Sequence, residues 1–465
     1  GYQTRRGDIK RVNGKGESMT FETKGKENNG ATYGRRSDWQ DLYSIAKKYY
    51  EALLADPGNA LFHLTDPRGA SDKSGRTFNN PYQYFFEQMH MDDAIYADES
   101  IYEYPMQQGG GNDGRPYSFG RPSSGGSKAA YPCKSYGQGR INPAYFYGVF
   151  DPNDMRRDVG ITLPGSNGKG VEKLIPFVPN SKAEGGGLTL NKWDENRQAN
   201  PWVAAQRKSG INGPYMRMSE VYLGYAEVCA ALGDVVTGKQ YLKTVRERSF
   251  PQGLANTDAF IASFGNDLVR AIIEERGFEY AGEGDRRWTL IRSGYLPEDI
   301  KRIKDMTKAM MDGLATKGYY EFENGNIISA YIWTKLVDAK TIYGHRLTAQ
   351  CPTDKVNDPV LYPGWRGQKD NWEEMGLNYG SSTPATNLAI KGLFEIVSEE
   401  EAASLESQGY TKVNWGIDLV DNRDEYDKYL FWDYDYVSAP IYLWPFTPNV
   451  MAAGGFTNGY GFKQE

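Results

Sequence analysis

The chain has 465 residues, 39% of them apolar and 25% charged, which excludes wholesale disorder and fits one large or two to three ordinary domains. Its 54 basic and 60 acidic residues leave a net charge of −6, which argues against nucleic acid or another polyanion as partner. No run of 18 apolar residues occurs, so no helix is long and apolar enough to cross a bilayer.

In chain order, residues 1–36 are polar, rich in Gly and Lys, and read as a looped segment without a core of its own. A helix follows. Ser37 and Gln40 form an S-x-x-Q capping box, and Trp39, Leu42, Tyr43, Ala46, Tyr49, Tyr50 and Leu53 recur at helical spacing until Asp56, Pro57 and Gly58 stop the run. A second helix is expected around Pro81–Met91, then a short strand in 98–106, DESIYEYPM. Residues 107–140 are dominated by Gly, Ser and Pro, yet Tyr117, Phe119, Tyr131 and Tyr136 are interleaved. A flexible linker lacks such rings, so this reads as an ordered surface loop. Residues 142–202 mix short strands and turns.

Helix returns over 214–248. Met218, Val221, Tyr222, Tyr225, Cys229 and Leu232 form one apolar stripe, Gly233 suits a left-handed cap, and Tyr241, Leu242 and Val245 mark a second helix. So short a link makes the two antiparallel, an αα-hairpin. Leu268, Ile272 and Phe278 share one face of a further helix, and 298–313 is weakly helical. From about 316 helical signals are few, apart from a charged helix near 399–408. Trp333, Trp365, Trp372, Trp415, Trp432 and Trp444 are spread through this part. The expected fold is mainly α: tetratricopeptide-like helical hairpins decorated by long loop-rich regions with a few short strands.

Cys133, Cys229 and Cys351 are too few and too far apart for a disulfide framework or a zinc site, and Cys229 reads as core. His63, His90 and His345 form no H-x-x-x-H motif, so histidine-dependent catalysis has little support. The 53 glycines and the 14% aromatic content describe much irregular backbone carrying large, half-polar rings.

One segment carries a resemblance. PYMRMSEVYLGYAEVCAALGD, YLKTVRERS and IIEERGFEYAGEGDRRWTLIRSG resemble the C-terminal core of the SusD/RagB family, through Arg217, Ser219, Glu220, Glu227, Arg246, Arg248, Glu275, Arg276, Glu279, Glu283, Gly284, Arg286, Trp288 and Arg292. DESIYEYPM resembles that family's E-S-I-x-E strand. Asp154 and Arg156 stand where its D-x-R motif is expected, and YLWPFTPNVMAAGGFTNGYGF resembles its closing segment with one residue more. The resemblance covers about 38–465. The family's longer N-terminal portion, with the lipid-bearing cysteine and the first hairpins, has no counterpart here, so the first part is expected to be missing.

The resemblance implies a non-catalytic lipoprotein of the outer membrane, at the cell surface of Bacteroidetes and anchored through an N-terminal cysteine not present in this chain. It would act as a lid over a SusC-like, TonB-dependent β-barrel transporter and capture an oligosaccharide or, less often, a peptide. It also implies four regions: 1–64, the remainder of the N-terminal helical repeats; 65–213, loop-rich and ligand-facing; 214–295, the helical core; and 296–465, loop-rich. The ligand face would lie between the strand at 98–106 and Asp154. There Tyr117, Phe119, Tyr136, Tyr145 and Tyr147 are candidates to stack on sugar rings, and Arg115, Asn112 and Asn142 to bond hydroxyls. Trp193, Trp333, Trp365 and Trp372 rank second and read rather as residues that pin the fold.

Glu274, Glu275, Arg276, Glu279, Glu283, Asp285, Arg286 and Arg287 could suggest the carboxylate pair of a glycoside hydrolase. Acids interleaved with arginines at helical spacing are more simply ion pairs tying helix to loop, with Trp288 as core. The acidic run 418–435 lacks the spacing of a calcium loop and reads as a solvated face. No cofactor is expected, and a structural calcium has no support. A glycoside hydrolase and a helical-repeat adaptor without a small ligand are the alternatives.

Overall fold

The computed structural model describes residues 11–12, 18–19, 39–67, 80–91, 96–107, 114–123, 135–166, 172–179, 186–193, 209–338, 386–426 and 446–455. Helices dominate them, as the sequence leads one to expect. Helix α1, Trp39–Ala55, ends one residue before Asp56, and Gly58 takes the left-handed conformation that the turn requires (φ 64°). Helix α2 is Pro81–Met91. The short helices α3, Gly114–Phe119, and α4, Met155–Gly160, flank a π-helical turn at Tyr145–Val149.

The expected hairpin is α5, Met218–Ala231, and α6, Val235–Glu247, with Gly233 at φ 89° between them. Helix α1 packs on α5, and Cys229 is fully buried. The short α7, Thr257–Ala262, leads to α8, Leu268–Glu279, which is buried on every side. A helix that carries Arg270, Glu274, Glu275, Arg276 and Glu279 into the interior must pair each charge there. Helix α9 is Asp285–Ser293, and α10, Leu296–Lys317, runs 22 residues, longer than the weak signal over 298–313 suggests.

The C-terminal part holds strands that the sequence reading does not anticipate. Tyr331–Asp338 is the middle of a three-stranded antiparallel sheet, flanked by Thr386–Lys391 and Thr411–Asn414. The expected charged helix is Glu399–Ser407, closed by a Ser398–Glu401 capping box.

The largest apolar core joins Phe146, Tyr147 and Phe150 to Phe278, to Met310, Met311 and Leu314 of α10, to Ile332 and Ile390 of the sheet, and to Trp415. A second core lies between α5, α6, α7 and α8, around Leu223, Leu242, Val245, Ile261 and Ile272.

Candidate functional site

The strand expected in 98–106 forms at Ser100–Tyr104 and pairs antiparallel with Gly213–Arg217, with irregular register around Tyr102. Successive side chains of a strand point to opposite faces. On the inner face Glu103 is buried, and its carboxylate accepts from the Ala97 amide (2.9 Å), the Ser100 hydroxyl and the Asn212 amide group (2.8 Å). Just before the strand, buried Glu99 accepts from Arg217 (3.0 Å) and Arg248 (3.1 Å). The outer face carries tyrosines. Tyr102 and Tyr104 are each 55% exposed and Tyr215 is 79% exposed. The Tyr102 and Tyr215 rings meet edge to face, 5.5 Å apart. Large rings are therefore held in water by strands bolted down through their acids.

Helix α3 borders this ribbon. The Arg115 guanidinium lies 6.0 Å from the Tyr104 ring centroid and 5.9 Å from that of Trp193. It occupies the space that a side chain at Gly213 would need. Phe119 is 46% exposed, and Tyr136 is half-buried. Tyr117 is buried instead, its ring edge-on to Tyr136 at 5.0 Å, so it supports the surface rather than forming it.

Three other candidates are elsewhere. Tyr147 is sealed in the large core, where the Trp415 indole N–H donates to its hydroxyl at 2.8 Å. Tyr145 donates its hydroxyl to the Gly277 carbonyl (2.7 Å), and burial pushes its phenol well above the usual range. The Tyr147 ring is not available to stack on a sugar, and the partly buried Tyr145 packs against the same core. The run from Ala144 to Phe150 contains no charged or amide side chain, which is the mark of a core segment. Asn142 precedes the π-helical turn, accepting from the Ala144 amide at 2.8 Å and donating to Thr307 at 3.0 Å. Asn112 lies outside the described residues, as do Trp365 and Trp372. Trp193 and Trp333 are buried, the fold-pinning role expected of them. Trp288 corrects the sequence reading: it is 58% exposed, because Thr289, Leu290 and Ile291 of α9 face inward instead. Of the tyrosines the sequence reading missed, Tyr102 and Tyr104 were signalled by alternation, and Tyr215 was not. In Y-E-Y the rings share a face opposite to the acid.

The acidic motif is an ion-pair network. Glu274 binds Arg286 and Arg302, each at 2.7 Å; Glu275 binds Arg156 (2.6 Å) and Arg246 (2.9 Å). Glu279 binds Arg248 (2.7 Å), Arg156 (3.1 Å) and Arg217. Asp154 caps α4 and grips Arg156 through both oxygens, so the D-x-R motif feeds the same network. Burial would push the Glu279 carboxyl up, but the guanidiniums of Arg217, Arg248 and Arg156 override it and hold the group well below the ordinary carboxylate range. Asp418 is not solvated as expected: it is buried, and that burial raises its carboxyl. Among the described residues no group of three or more His, Cys, Asp or Glu could hold a metal ion.

This is a helical-hairpin protein whose buried arginine–glutamate lattice supports an exposed aromatic ribbon. The family model described as the SusD family matches residues 61–445, most of the sequence, and the chain belongs to that family. It is similar to SusD-like protein P25 of Formosa agariphila, 28% identical over 160 residues, which are 34% of this chain and 26% of that relative. Among solved structures it is similar to a SusD homologue from Bacteroides thetaiotaomicron (19% identity, TM-score 0.41, 58% of this chain and 52% of that one). Another is surface glycan-binding protein A from Bacteroides thetaiotaomicron in complex with laminarihexaose (18% identity, TM-score 0.36, 56% and 52%). The chain thus spans about a quarter of the curated relative it matches and about half of these solved chains.

Proposed function

We propose that this chain captures a glycan without cleaving it, at the outer surface of the cell, as the lipid-anchored lid of a SusC-like, TonB-dependent β-barrel transporter. Membership of the SusD family supports the setting. The observation that carries the binding reading is the Tyr102–Tyr215 pair, two exposed rings held edge to face on strands fixed from beneath. The C–H patches of sugar rings stack on such faces, while hydroxyls pair with polar neighbours such as Arg115. Phe119 and Tyr136 extend the surface, and a peptide is the second ligand class it would take. The carboxylates of Glu274, Glu275 and Glu279 are buried in ion pairs, which favours binding over hydrolysis.

The test is a glycan and peptide array followed by calorimetry on the tightest ligand. Tyr102→Ala combined with Tyr215→Ala should weaken binding by about tenfold, from ring contacts worth roughly 0.5–1.5 kcal/mol each. Unchanged affinity removes the ribbon from the site. Ligand cleavage by purified protein revives the hydrolase, and no ligand at all revives the adaptor. Purification from native membranes should bring down a large β-barrel.

A further inference from the structure

A second surface of different chemistry lies on the three-stranded sheet. Register places Lys391 and Lys412 opposite Trp333 from its two sides. Residues directly opposite on antiparallel strands point to the same face, as do residues two apart. Tyr331, Trp333 and Lys335 of the middle strand therefore share one face with Lys391, Lys412 and Asn414. The lysines bear on tyrosine rings: the Lys412 ammonium lies 4.3 Å from the Tyr331 centroid, and that of Lys335 lies 5.8 Å from Tyr410. Trp333 is buried, Tyr331 is 40% exposed, and Lys412 is exposed. Among the described residues no carboxylate forms an ion pair with Lys335, Lys391 or Lys412. Lys335 donates only to a main-chain oxygen, that of Gln408, at 2.6 Å.

We propose that this face binds the anionic groups, sulfate or carboxylate, of an acidic polysaccharide. Three ammonium groups on a chain of net charge −6 make a local exception to its overall sign. Lys391 and Lys412 stand two strands apart, about 10 Å, a span that a folded small anion does not fill but a chain with repeated charges does. The exposed Tyr331 ring gives the sugar backbone an apolar surface beside those charges, while buried Trp333 supports the strand beneath them. A long nucleic acid, with its dense phosphates, needs a wider basic surface than these three lysines make. The site is separate from the Tyr102–Tyr215 ribbon and stands or falls without it.

Dextran sulfate and unmodified dextran share a backbone and differ only in charge, so binding of the two is measured at low and high salt. Dextran sulfate should bind, dextran should not bind at this face, and the affinity should fall steeply as salt screens the contacts. Combining Lys335→Gln, Lys391→Gln and Lys412→Gln should weaken dextran sulfate binding by about tenfold, as three exposed ion pairs of modest strength predict. Tyr102→Ala should leave that binding unchanged. The single variant Lys412→Glu, at an exposed position, gives the same direction should the triple variant fail to fold. Binding of dextran sulfate that the lysine variants do not reduce overturns the proposal, as does its absence from the wild type. Sedimentation with phosphatidylserine vesicles, lost in the lysine variants while dextran sulfate does not bind, assigns the face to a membrane and overturns it too.

Discussion

Arg217 holds Glu279 twice: one guanidinium nitrogen pairs with the carboxylate, and the other donates to the Glu279 main-chain carbonyl at 2.8 Å. Arg217 also reaches Glu99 and Glu283, so the strand of the tyrosine ribbon, the end of α8 and the loop after it meet at one side chain. Around it Arg156, Arg246, Arg248 and Lys192 complete a set of cations facing Asp154, Glu99, Glu275, Glu279 and Glu283. Opposite charges are equal in number, which is what allows so many to be buried together. Arg217→Met strands several carboxylates at once. It should cost about 3–5 kcal/mol or more, read as a lower Tm and denaturant midpoint. A shift of less than about 1 kcal/mol would show the network to be solvated rather than buried.

The same network sets the acid limit. Glu279 is held well below the ordinary carboxylate range by Arg217, Arg248 and Arg156 against the opposing pull of burial, and Glu274 and Asp299 are lowered likewise by Arg286 and Arg302. A depressed folded pKa contributes stability above the unfolded value of about 4.3, and that stability is lost as pH falls towards the folded value. Tm should stay level from neutral pH to about 5 and fall steeply below about 4. Glu279→Gln should start lower at pH 7 and lose less on acidification. Parallel curves for the two proteins would contradict this account.

Gly213 faces Tyr104 across the strand pair, and a β-carbon there overlaps the Arg115 guanidinium. That guanidinium is the far end of a flexible side chain, so Gly213→Ala should displace Arg115 from between Tyr104 and Trp193 at little cost to the fold. The expected result is a Tm within a few degrees of wild type and weaker binding of the captured glycan. Unchanged affinity would take Arg115 out of the site.

How much of this was legible in the sequence depends on which forces left a periodic trace. Helices α1, α5, α6 and α8 were legible because apolar residues recur along them at helical spacing, with stop signals at Asp56, Pro57 and Gly58 after α1 and at Gly233 after α5. The ion pairs of α8 were legible because arginines and glutamates alternate at helical spacing. Tyr145 and Tyr147 were misplaced because a tyrosine is half polar, and its hydroxyl can be satisfied by one buried partner, Gly277 or Trp415, that lies over a hundred residues away. The central strand Tyr331–Asp338 was missed because its partners come from 386–391 and 411–414, pairings that no local pattern encodes. Trp288 was misread because helix α9 is too short for its buried face to be told from its exposed one.

Tyr147 tests the correction. Tyr147→Phe keeps the ring but leaves the Trp415 indole N–H buried without its acceptor. That should cost about 1–3 kcal/mol in thermal or denaturant unfolding and leave glycan binding untouched. Weaker binding at unchanged stability would restore Tyr147 to the ligand face.

Lys192 is the network's weakest cation. Burial pushes its ammonium down to about 8, only partly offset by Glu283, which it meets at 2.6 Å. Here the sign is the reverse of the carboxylates. Between about pH 8 and 10.5 the unfolded chain binds a proton that the folded one does not, so this group makes stability rise with pH. The rise is at most about 1.4 kcal/mol per pH unit, and below pH 8 it vanishes because both states are charged. Glu283 keeps two bonds from Arg217 when Lys192 is removed, so Lys192→Met should still fold. Denaturant unfolding of both proteins from pH 7 to 9.5 avoids the range where exposed tyrosines ionise. The wild type should gain stability over Lys192→Met as pH climbs from 8. A difference that is flat, or that shrinks in the wild type's disfavour, would mean that Lys192 stays charged and that Glu283 fully offsets its burial.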